Sequence, residues 1–195
     1  MYGGKLEAAS CVADGTLEDL PVLLFIDTAG CDMEEQREED GESLRNSGEA
    51  EVVIKYVRSL AEKGIPLSTI GIITPYSAQV SLIRSLRNER LEDFLGEGAT
   101  QQDLEVSTVD GFQGREKDVI IISMVRSGGK SVGFLAENRR MNVAITRAKK
   151  HVALIGDSDT IRGLEGEGDG ESFLARLVGY FEDVGEYDSA SSYMD

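Results

Sequence analysis

The turn GFQGREKD, at residues 111–118, carries a dense set of chemically useful side chains. An amide, two cations and a carboxylate stand within five positions, from Gln113, Arg115, Glu116 and Lys117. Gly111 and Gly114 allow the backbone to approach a ligand closely or to adopt a positive φ. These groups suit a nucleotide, but an ordinary charged loop before a strand has the same composition, and spacing alone leaves both interpretations open.

The segment that follows this turn predicts a central β-strand. Residues 119–125, VIIISMV, comprise six apolar residues and one Ser, a run too short to span a membrane. Uninterrupted apolar runs of this length are typical of strands buried on both faces. We therefore expect the turn to lie beside the middle of a sheet.

Four further apolar runs of strand length occur at residues 22–26, 70–73, 104–106 and 152–155. Apolar residues at spacings of three and four predict helices at about 49–63, 80–90, 138–148 and 173–181. The alternation of strands and helices predicts an α/β fold of three layers, with helices on both faces of a mostly parallel central sheet.

Each predicted strand ends in a polar segment, and these segments are DTAG, TPYS, STVDGFQGRE, SMVRS and GDSD. In parallel sheets the carboxyl ends of the strands lie on one edge, and ligands bind there. We therefore expect all five segments to share one edge, where they favour a phosphate or a nucleotide as the ligand.

Two regions are expected to lie outside the core. Residues 32–48 are rich in Glu, Asp, Gly and Asn and have little to bury, which predicts a mobile acidic surface loop. The predicted domain covers residues 1–161, and residues 162–195 comprise an acidic linker, a C-terminal helix and a polar tail. The residues of the loop and the tail indicate no role for either.

The net charge of −16 is unevenly distributed along the chain. Residues 109–151 contain nine basic and four acidic residues, a local net charge of +5. The acidic ends are expected to weaken non-specific attachment to nucleic acid, whereas the basic centre is compatible with nucleotide or nucleic-acid phosphate.

Several kinds of site have no support in the sequence. Neither GxxxxGK[ST] nor GxGxxG occurs, which argues against a free-standing NTPase or a dinucleotide enzyme. Cys11 and Cys31 lack the spacing of metal ligands, and we predict no metal site. His151, the only His, is interpreted as a structural residue before a strand, and Asp157 and Asp159 as helix caps.

The sequence also lacks an eighteen-residue apolar window and a signal peptide. We therefore expect an intracellular protein, cytoplasmic or nuclear or both, without a membrane partner.

Three segments, in order and spacing, resemble motifs IV, V and VI of superfamily-1 helicases. They are TPYSAQV from residue 74, STVDGFQGREKDVIIISMVRS from residue 107 and GFLAENRRMNVAITRAKKHVALIGD from residue 133. FIDTAGC at 25–31 and SLRNSGEA at 43–50 resemble the branch that includes the nonsense-mediated-decay helicase and the immunoglobulin mu-binding helicase. The resemblance covers about residues 1–161 and implies the second of two RecA-like domains, a P-loop NTPase-type fold.

In this family ATP binds between the two domains, and the first domain carries the phosphate loop and the carboxylates that hold Mg²⁺. By match to motif VI, the resemblance implies that Arg147 is the arginine finger, whose guanidinium stabilises charge on the γ-phosphate. By match to motif V, it implies that Glu116 accepts hydrogen bonds from the ribose and that the Gly114 N–H approaches the γ-phosphate. Gln113 is a further candidate for the same cleft.

Without the resemblance, each of these residues has a simpler interpretation. Arg147 would be an exposed helix arginine. Glu116 would be the surface ion-pair partner of Arg115 or Lys150.

The family likeness also implies a surface for single-stranded RNA or DNA, formed by Thr74, Pro75, Tyr76 and Thr108. Hydroxyls and backbone N–H groups can hold phosphates there independently of base sequence. Tyr76 could equally be a packed aromatic residue. Arg139 and Arg140 could be a pair at a helix start that is braced on Glu137 or Asp110.

Family members carry an adenine-contacting element before the segment that MYGGKL resembles, and this sequence starts after it. We therefore expect the chain to be the ATP-coupling second motor domain of a 5′-to-3′ RNA/DNA helicase, catalytically incomplete without the first domain and unable to hydrolyse ATP alone. The alternative is a non-catalytic RecA-like module that binds nucleic acid or protein and derives from a truncated helicase gene. RNA or DNA preference, pathway and oligomeric state have no signal in the sequence.

Overall fold

The computed structural model describes residues 17, 19–38, 43–90, 100, 103–128, 138–163 and 172–194. The strands in these ranges are β1 Leu23–Asp27, β2 Gln36–Arg37, β3 Leu44–Arg45, β4 Ile70–Thr74, β5 Glu105–Thr108, β6 Lys117–Ser123, β7 Ala148–Gly156 and β8 Glu186–Ser189. The α-helices are α1 Ser47–Glu62, α2 Ser77–Arg90, α3 Asn138–Ile145, α4 Ser158–Arg162 and α5 Phe173–Val184.

Six strands form one parallel sheet in the order β5-β4-β6-β7-β1-β8. β6 lies between β4 and β7, and its residues 119–122 are fully buried. The predicted α/β sheet with a buried central strand is therefore confirmed. The short strands β2 and β3 form a separate antiparallel pair.

Helices cover both faces of the sheet, so the predicted three layers are present. On one face, Val119 and Ile121 of β6 belong to a core cluster that includes the apolar residues of α1 and α2. On the other face, Ile120 and Ile122 belong to a cluster with α3, α4 and α5. Successive residues of a strand point to opposite faces, which is why this strand had to be apolar throughout.

The prediction of a mobile loop at residues 32–48 is wrong for the part that the structure describes. β2 and β3 lie within this region, and the side chains of Met33 and Leu44 are buried against the core. Helix α1 begins at Ser47, earlier than expected, because the Asn46 side chain accepts a hydrogen bond from the Glu49 N–H at 3.0 Å and caps the helix. Residues 39–42 of the predicted loop lie outside the described residues.

The last described residues contribute to the sheet. The predicted C-terminal helix is present as α5, and the segment expected to be a polar tail forms β8, which pairs with β1 in parallel. The Tyr187 hydroxyl donates to the Asp27 carboxylate at 2.6 Å, and the Ser158 hydroxyl donates to the same oxygen at 2.6 Å. These hydrogen bonds lower the pKa of Asp27 against the opposing effect of its burial. The bond from Tyr187 also fastens β8 to the end of β1.

No helix in the described part of the chain is both long enough and apolar enough to cross a membrane.

Candidate functional site

The two edges of the sheet carry different sets of candidate residues. Four of the polar segments predicted to converge do share the carboxyl edge. The Ser127 hydroxyl after β6 donates to Asp157 after β7 at 3.1 Å, and the Ser158 N–H donates to Asp27 at the end of β1 at 3.0 Å. Thr74, at the end of β4, belongs to the same edge.

The fifth segment corrects the prediction of a single edge. β5 ends at Thr108 and β6 begins at Lys117, and both run parallel to β4. The chain therefore returns from the carboxyl edge to the amino edge within residues 109–116. Phe112, which is fully buried, lies over the sheet at Gly71, where a Cβ atom would stand 2.7 Å from the Phe112 ring. Thr108 thus stays at the carboxyl edge, whereas Gly114 and Glu116 lie at the amino edge.

Arg147 lies at the amino edge too, directly before β7. The Lys117 N–H donates a hydrogen bond to the Arg147 carbonyl oxygen at 3.1 Å, and Lys117 is paired with Ala148 in the sheet. The structure therefore brings the start of β6, with Gly114 and Glu116 just before it, next to Arg147. These are three of the four residues predicted for the nucleotide.

The Arg147 side chain is half-buried and held by its own turn. Its Nε donates to the Val143 carbonyl oxygen at 3.1 Å, and one terminal nitrogen lies 3.4 Å from the Thr146 hydroxyl. Among the described residues, no carboxylate forms an ion pair with it. A guanidinium fixed at Nε with its terminal N–H groups uncommitted to an acid is suited to a phosphate.

Gly114 and Glu116 are exposed beside it. Gly114 has φ +78° and nothing lies within 4 Å of the position of a Cβ, so there is open space on that side of its backbone. Glu116 forms no ion pair with described residues, because Arg115 is paired with Glu105 and Lys150 with Asp118. The ion-pair interpretation of Glu116 is therefore not supported. Gln113 is likewise exposed.

The residues predicted for nucleic acid lie together at the carboxyl edge. Thr74 and Thr108 are directly paired at the ends of β4 and β5. Thr74 is fully buried, and its hydroxyl has no hydrogen-bond partner among the described residues. The Thr108 hydroxyl accepts a hydrogen bond from the Gly111 N–H at 3.2 Å. Pro75 and Tyr76 follow β4 and are partly buried.

Two simpler interpretations of other residues are supported by their contacts. Arg140 forms an ion pair with Asp110 at 3.1 Å, as the braced-pair interpretation requires. Asp157 caps α4, because its side chain accepts from the Thr160 N–H at 2.8 Å. The neighbouring Arg139 and Glu137 have no described side chains.

His151 has a structural role, although it lies within β7 and not before it. Its Nε2 lies 2.7 Å from the Tyr56 hydroxyl, and its Nδ1 lies 2.5 Å from the Pro21 carbonyl oxygen. Since a carbonyl only accepts, Nδ1 carries the proton and Nε2 accepts from Tyr56. Burial lowers the pKa of His151, which keeps the ring neutral.

Sequence reasoning missed a buried polar cluster beneath the carboxyl edge. Glu49 is fully buried, and its Oε2 accepts from the Ser123 hydroxyl at 2.6 Å and from the Val125 N–H at 2.8 Å. Gln79, also buried, donates to the Ser123 hydroxyl at 3.1 Å. Burial raises the pKa of Glu49 to about 8, although both hydrogen bonds oppose that shift. The only sequence signal was indirect, because Asn46 and Glu49 lie in SLRNSGEA, a segment singled out by its family likeness.

The residues of the amino edge fit a nucleotide better than a metal ion. The described residues contain no group of three His, Cys, Asp or Glu side chains placed to hold a metal. Arg147 and the Gly114 N–H are donors, which suit phosphate oxygens, whereas Glu116 is an acceptor for hydroxyls. ATP is therefore compatible with this edge, with any Mg²⁺ ligands supplied from elsewhere.

Comparison with known proteins identifies the family of the chain. The AAA domain family matches residues 1–159. DNA-binding protein SMUBP-2 of Rattus norvegicus is 44% identical over 207 residues, which cover 100% of this chain and 19% of that protein. DNA polymerase alpha-associated DNA helicase A of Saccharomyces cerevisiae is 39% identical, with 83% of this chain and 25% of that protein covered.

A third relative is the regulator of nonsense transcripts 1 homolog of Drosophila melanogaster, which is 37% identical over 80% of this chain and 13% of its own length. The chain thus spans a quarter or less of the length of each of these relatives. The family match, the parallel RecA-like sheet and these relatives agree: the chain belongs to the AAA domain family and is related over its whole length to a part of SMUBP-2.

Proposed function

We propose that this chain is the second motor domain of an ATP-dependent 5′-to-3′ helicase that acts on single-stranded RNA or DNA. The observation that carries the proposal is the hydrogen bond from the Lys117 N–H to the Arg147 carbonyl, which joins the two segments predicted to contact ATP. The names of the relatives, a DNA-binding protein and a DNA helicase, support the assignment. Such a motor works inside the cell, in the cytoplasm, the nucleus or both.

In this proposal, ATP lies between the amino edge and a first RecA-like domain that supplies the phosphate loop and the Mg²⁺ ligands. Arg147 approaches the γ-phosphate from the opposite side and stabilises the negative charge of the transition state. The Gly114 N–H donates to a phosphate oxygen, and Glu116 accepts from the ribose hydroxyls. Gln113 lies close enough in sequence to contribute a further polar contact.

The carboxyl edge holds the single strand in the same proposal. Thr108 offers its hydroxyl to the phosphates, and Pro75 and Tyr76 shape the surface beside it. Thr74, whose hydroxyl is buried, supports this surface by pairing with Thr108. Because the two edges lie at opposite ends of the same strands, nucleotide and nucleic acid would contact this domain without competing for space.

The decisive experiment measures ATP hydrolysis, with and without single-stranded nucleic acid, by the chain alone and by the chain joined to a family first domain. We expect no turnover by the chain alone and strand-stimulated turnover by the fusion. Arg147→Ala should lower kcat of the fusion by about 10³-fold or more. Lys149→Ala is the matched control, since it removes an exposed cation two residues away, and it should leave kcat nearly unchanged.

A fusion whose turnover is indifferent to Arg147→Ala would contradict the arginine-finger assignment. A fusion that binds the strand but never hydrolyses ATP would instead support a non-catalytic RecA-like binding module.

A further inference from the structure

The segment that follows β6, residues 125–128, has an unusual backbone. Val125 adopts φ +72°, in the left-handed region that β-branched residues avoid. Its side chain and that of Met124 are fully buried. A strained conformation of this kind persists only where the surrounding structure fixes it, and such positions cluster at functional sites. We call residues 125–128 the exit segment.

Glu49 is the main contact that holds the start of the exit segment. Its Oε2 accepts from the Val125 N–H, and the Asn46 amide donates to the Val125 carbonyl oxygen at 3.2 Å. The N–H and the carbonyl oxygen of Val125 are thus each held by a side chain from the start of α1. The other carboxyl oxygen, Oε1, has no partner among the described residues. Burying a carboxyl group with one oxygen unpaired costs free energy, so stability alone does not account for it.

The remainder of the exit segment is held by three other side chains. Arg126 forms a buried ion pair with Glu35 at 2.7 Å, and the Ser127 N–H donates to the same carboxylate at 3.1 Å. The Ser127 hydroxyl donates to Asp157 at 3.1 Å. The Gly128 N–H donates to the Thr160 hydroxyl at 2.8 Å. Every residue of the exit segment is therefore hydrogen-bonded or ion-paired to a side chain from outside the segment.

The exit segment lies beside the proposed strand-binding residues. Ile73 of β4 pairs with Ile122 of β6, so Thr74 and Ser123 are the next residues on adjacent strands. Ser123 is also the residue that donates to Glu49. The same strand, β6, starts at the nucleotide edge, where Lys117 binds Arg147. Glu49 thus fixes the far end of a strand that runs from one proposed site to the other.

We infer that Glu49 is a positioning residue, which holds Val125 in its left-handed conformation and so sets the exit segment against the single strand at the carboxyl edge. The inference rests on the proposed function and adds to it a determinant of strand affinity that touches neither ATP nor the nucleic acid. Loss of the Glu49 contact frees Val125 to relax and moves the residues that follow it.

The test uses the fusion with a first domain. It measures the concentration of single-stranded nucleic acid that gives half-maximal stimulation of ATP hydrolysis. Glu49→Leu removes the acceptor, and we expect that concentration to rise about tenfold, with kcat at saturating strand and KM for ATP unchanged. Glu49→Gln retains an acceptor oxygen and a neutral side chain, and it should stay close to the unaltered protein. Val125→Gly in the Glu49→Leu background should recover most of the affinity, because glycine adopts a positive φ without strain.

A purely structural role predicts a different pattern. Glu49→Leu would then lower stability and kcat together, and Val125→Gly would not restore strand affinity, which overturns the inference. If Glu49→Leu does not fold, Glu49→Asp replaces it, because the shorter side chain cannot reach both donors. Unchanged affinity of that variant for single-stranded nucleic acid would equally overturn the inference. No strand-stimulated turnover in the unaltered fusion would overturn the proposed function and this inference with it.

Discussion

The main-chain N–H of Lys117 and the carbonyl oxygen of Arg147 are 3.1 Å apart and hydrogen-bonded. This bond fastens the start of β6 to the start of β7, at a point where the pairing of the two strands is irregular. Arg147 is therefore held close to Glu116, the residue next to Lys117. In the proposed function, this cation and this carboxylate contact the same nucleotide.

Gly114→Ala tests the nucleotide edge. An alanine at φ +78° is strained by about 1 kcal/mol and restricts the approach of a phosphate, so KM for ATP of the fusion should rise several-fold. Gly64→Ala is the matched control, because Gly64 has φ +85° and equally open surroundings at the end of α1. It should cost similar stability and leave KM unchanged. Equal KM effects of the two changes would mean that the Gly114 N–H does not contact ATP.

Thr108→Val tests the strand-binding edge. The Thr108 side chain is partly exposed and lies on the strand next to the buried Thr74. Its loss should lower the affinity for single-stranded nucleic acid about fivefold, the equivalent of one lost hydrogen bond. Thr74→Val is the matched control, because its hydroxyl is buried and has no partner among the described residues, and it should leave this affinity nearly unchanged. An equal loss of affinity in the two variants would contradict the assignment.

Glu49 should give the protein a distinctive pH dependence. Its pKa is raised from 4.5 to about 8 by burial and, to a smaller extent, by the charge of Asp157. Between pH 4.5 and 8 the unfolded chain loses this proton and the folded chain keeps it. Stability should therefore fall with rising pH across that window, by up to about 1.4 kcal/mol per pH unit, and level off above it.

The measurement compares urea unfolding of the unaltered chain and of Glu49→Gln across this pH range. The comparison is needed because His151, whose pKa is lowered, contributes stability that rises with pH up to about its ordinary value of 6.5. The Glu35–Arg126 ion pair is present in both proteins and cancels as well. A constant difference between the two proteins would show that Glu49 is ionised in the fold.

Arg84 and Arg87 should protect the outer edge of β5 from pairing with a strand of another molecule. Their side chains donate to the Val106 and Leu104 carbonyl oxygens of the β5 edge at 2.7 and 2.9 Å. Replacing both by Ala should lower the free energy of unfolding by about 1–3 kcal/mol and increase light scattering at high concentration. Arg58→Ala, which breaks an exposed pair with Glu62, should cost at most about 0.5 kcal/mol. An unchanged free energy of unfolding in the double variant would contradict this role of Arg84 and Arg87.

The strands and helices were predictable where the pattern of apolar residues sufficed. Residues 119–122 of β6 face two different cores, and only a continuous apolar run satisfies both. The return of the chain from the carboxyl edge at the end of β5 to the amino edge at the start of β6 was not predictable. A polar turn has no periodicity that indicates the edge on which it lies. The buried Phe112 was the one residue that marked this crossing.

The remaining errors have a common physical cause. β8 is an edge strand with the sequence EYDS, and it has one neighbour and little apolar surface, so it has no alternation to detect. In the acidic region 32–48, Met33 and Leu44 are single apolar residues among charges, and their burial depends on distant partners. Glu49 resembled an ordinary acidic residue in the first turn of a helix, and only its partners on β6 distinguish it.

The sheet order has a consequence for how the chain reaches its fold. β1 is the first strand of the described chain, yet its two neighbours are β7 and β8, the last strands of that part of the chain. At the usual rate of translation, on the order of 10 s pass between the synthesis of the apolar LLFI segment of β1 and the synthesis of β7. Incomplete nascent chains therefore expose both sides of an unpaired hydrophobic strand, and an interruption of translation before residue 148 leaves a species that depends on chaperones to avoid aggregation.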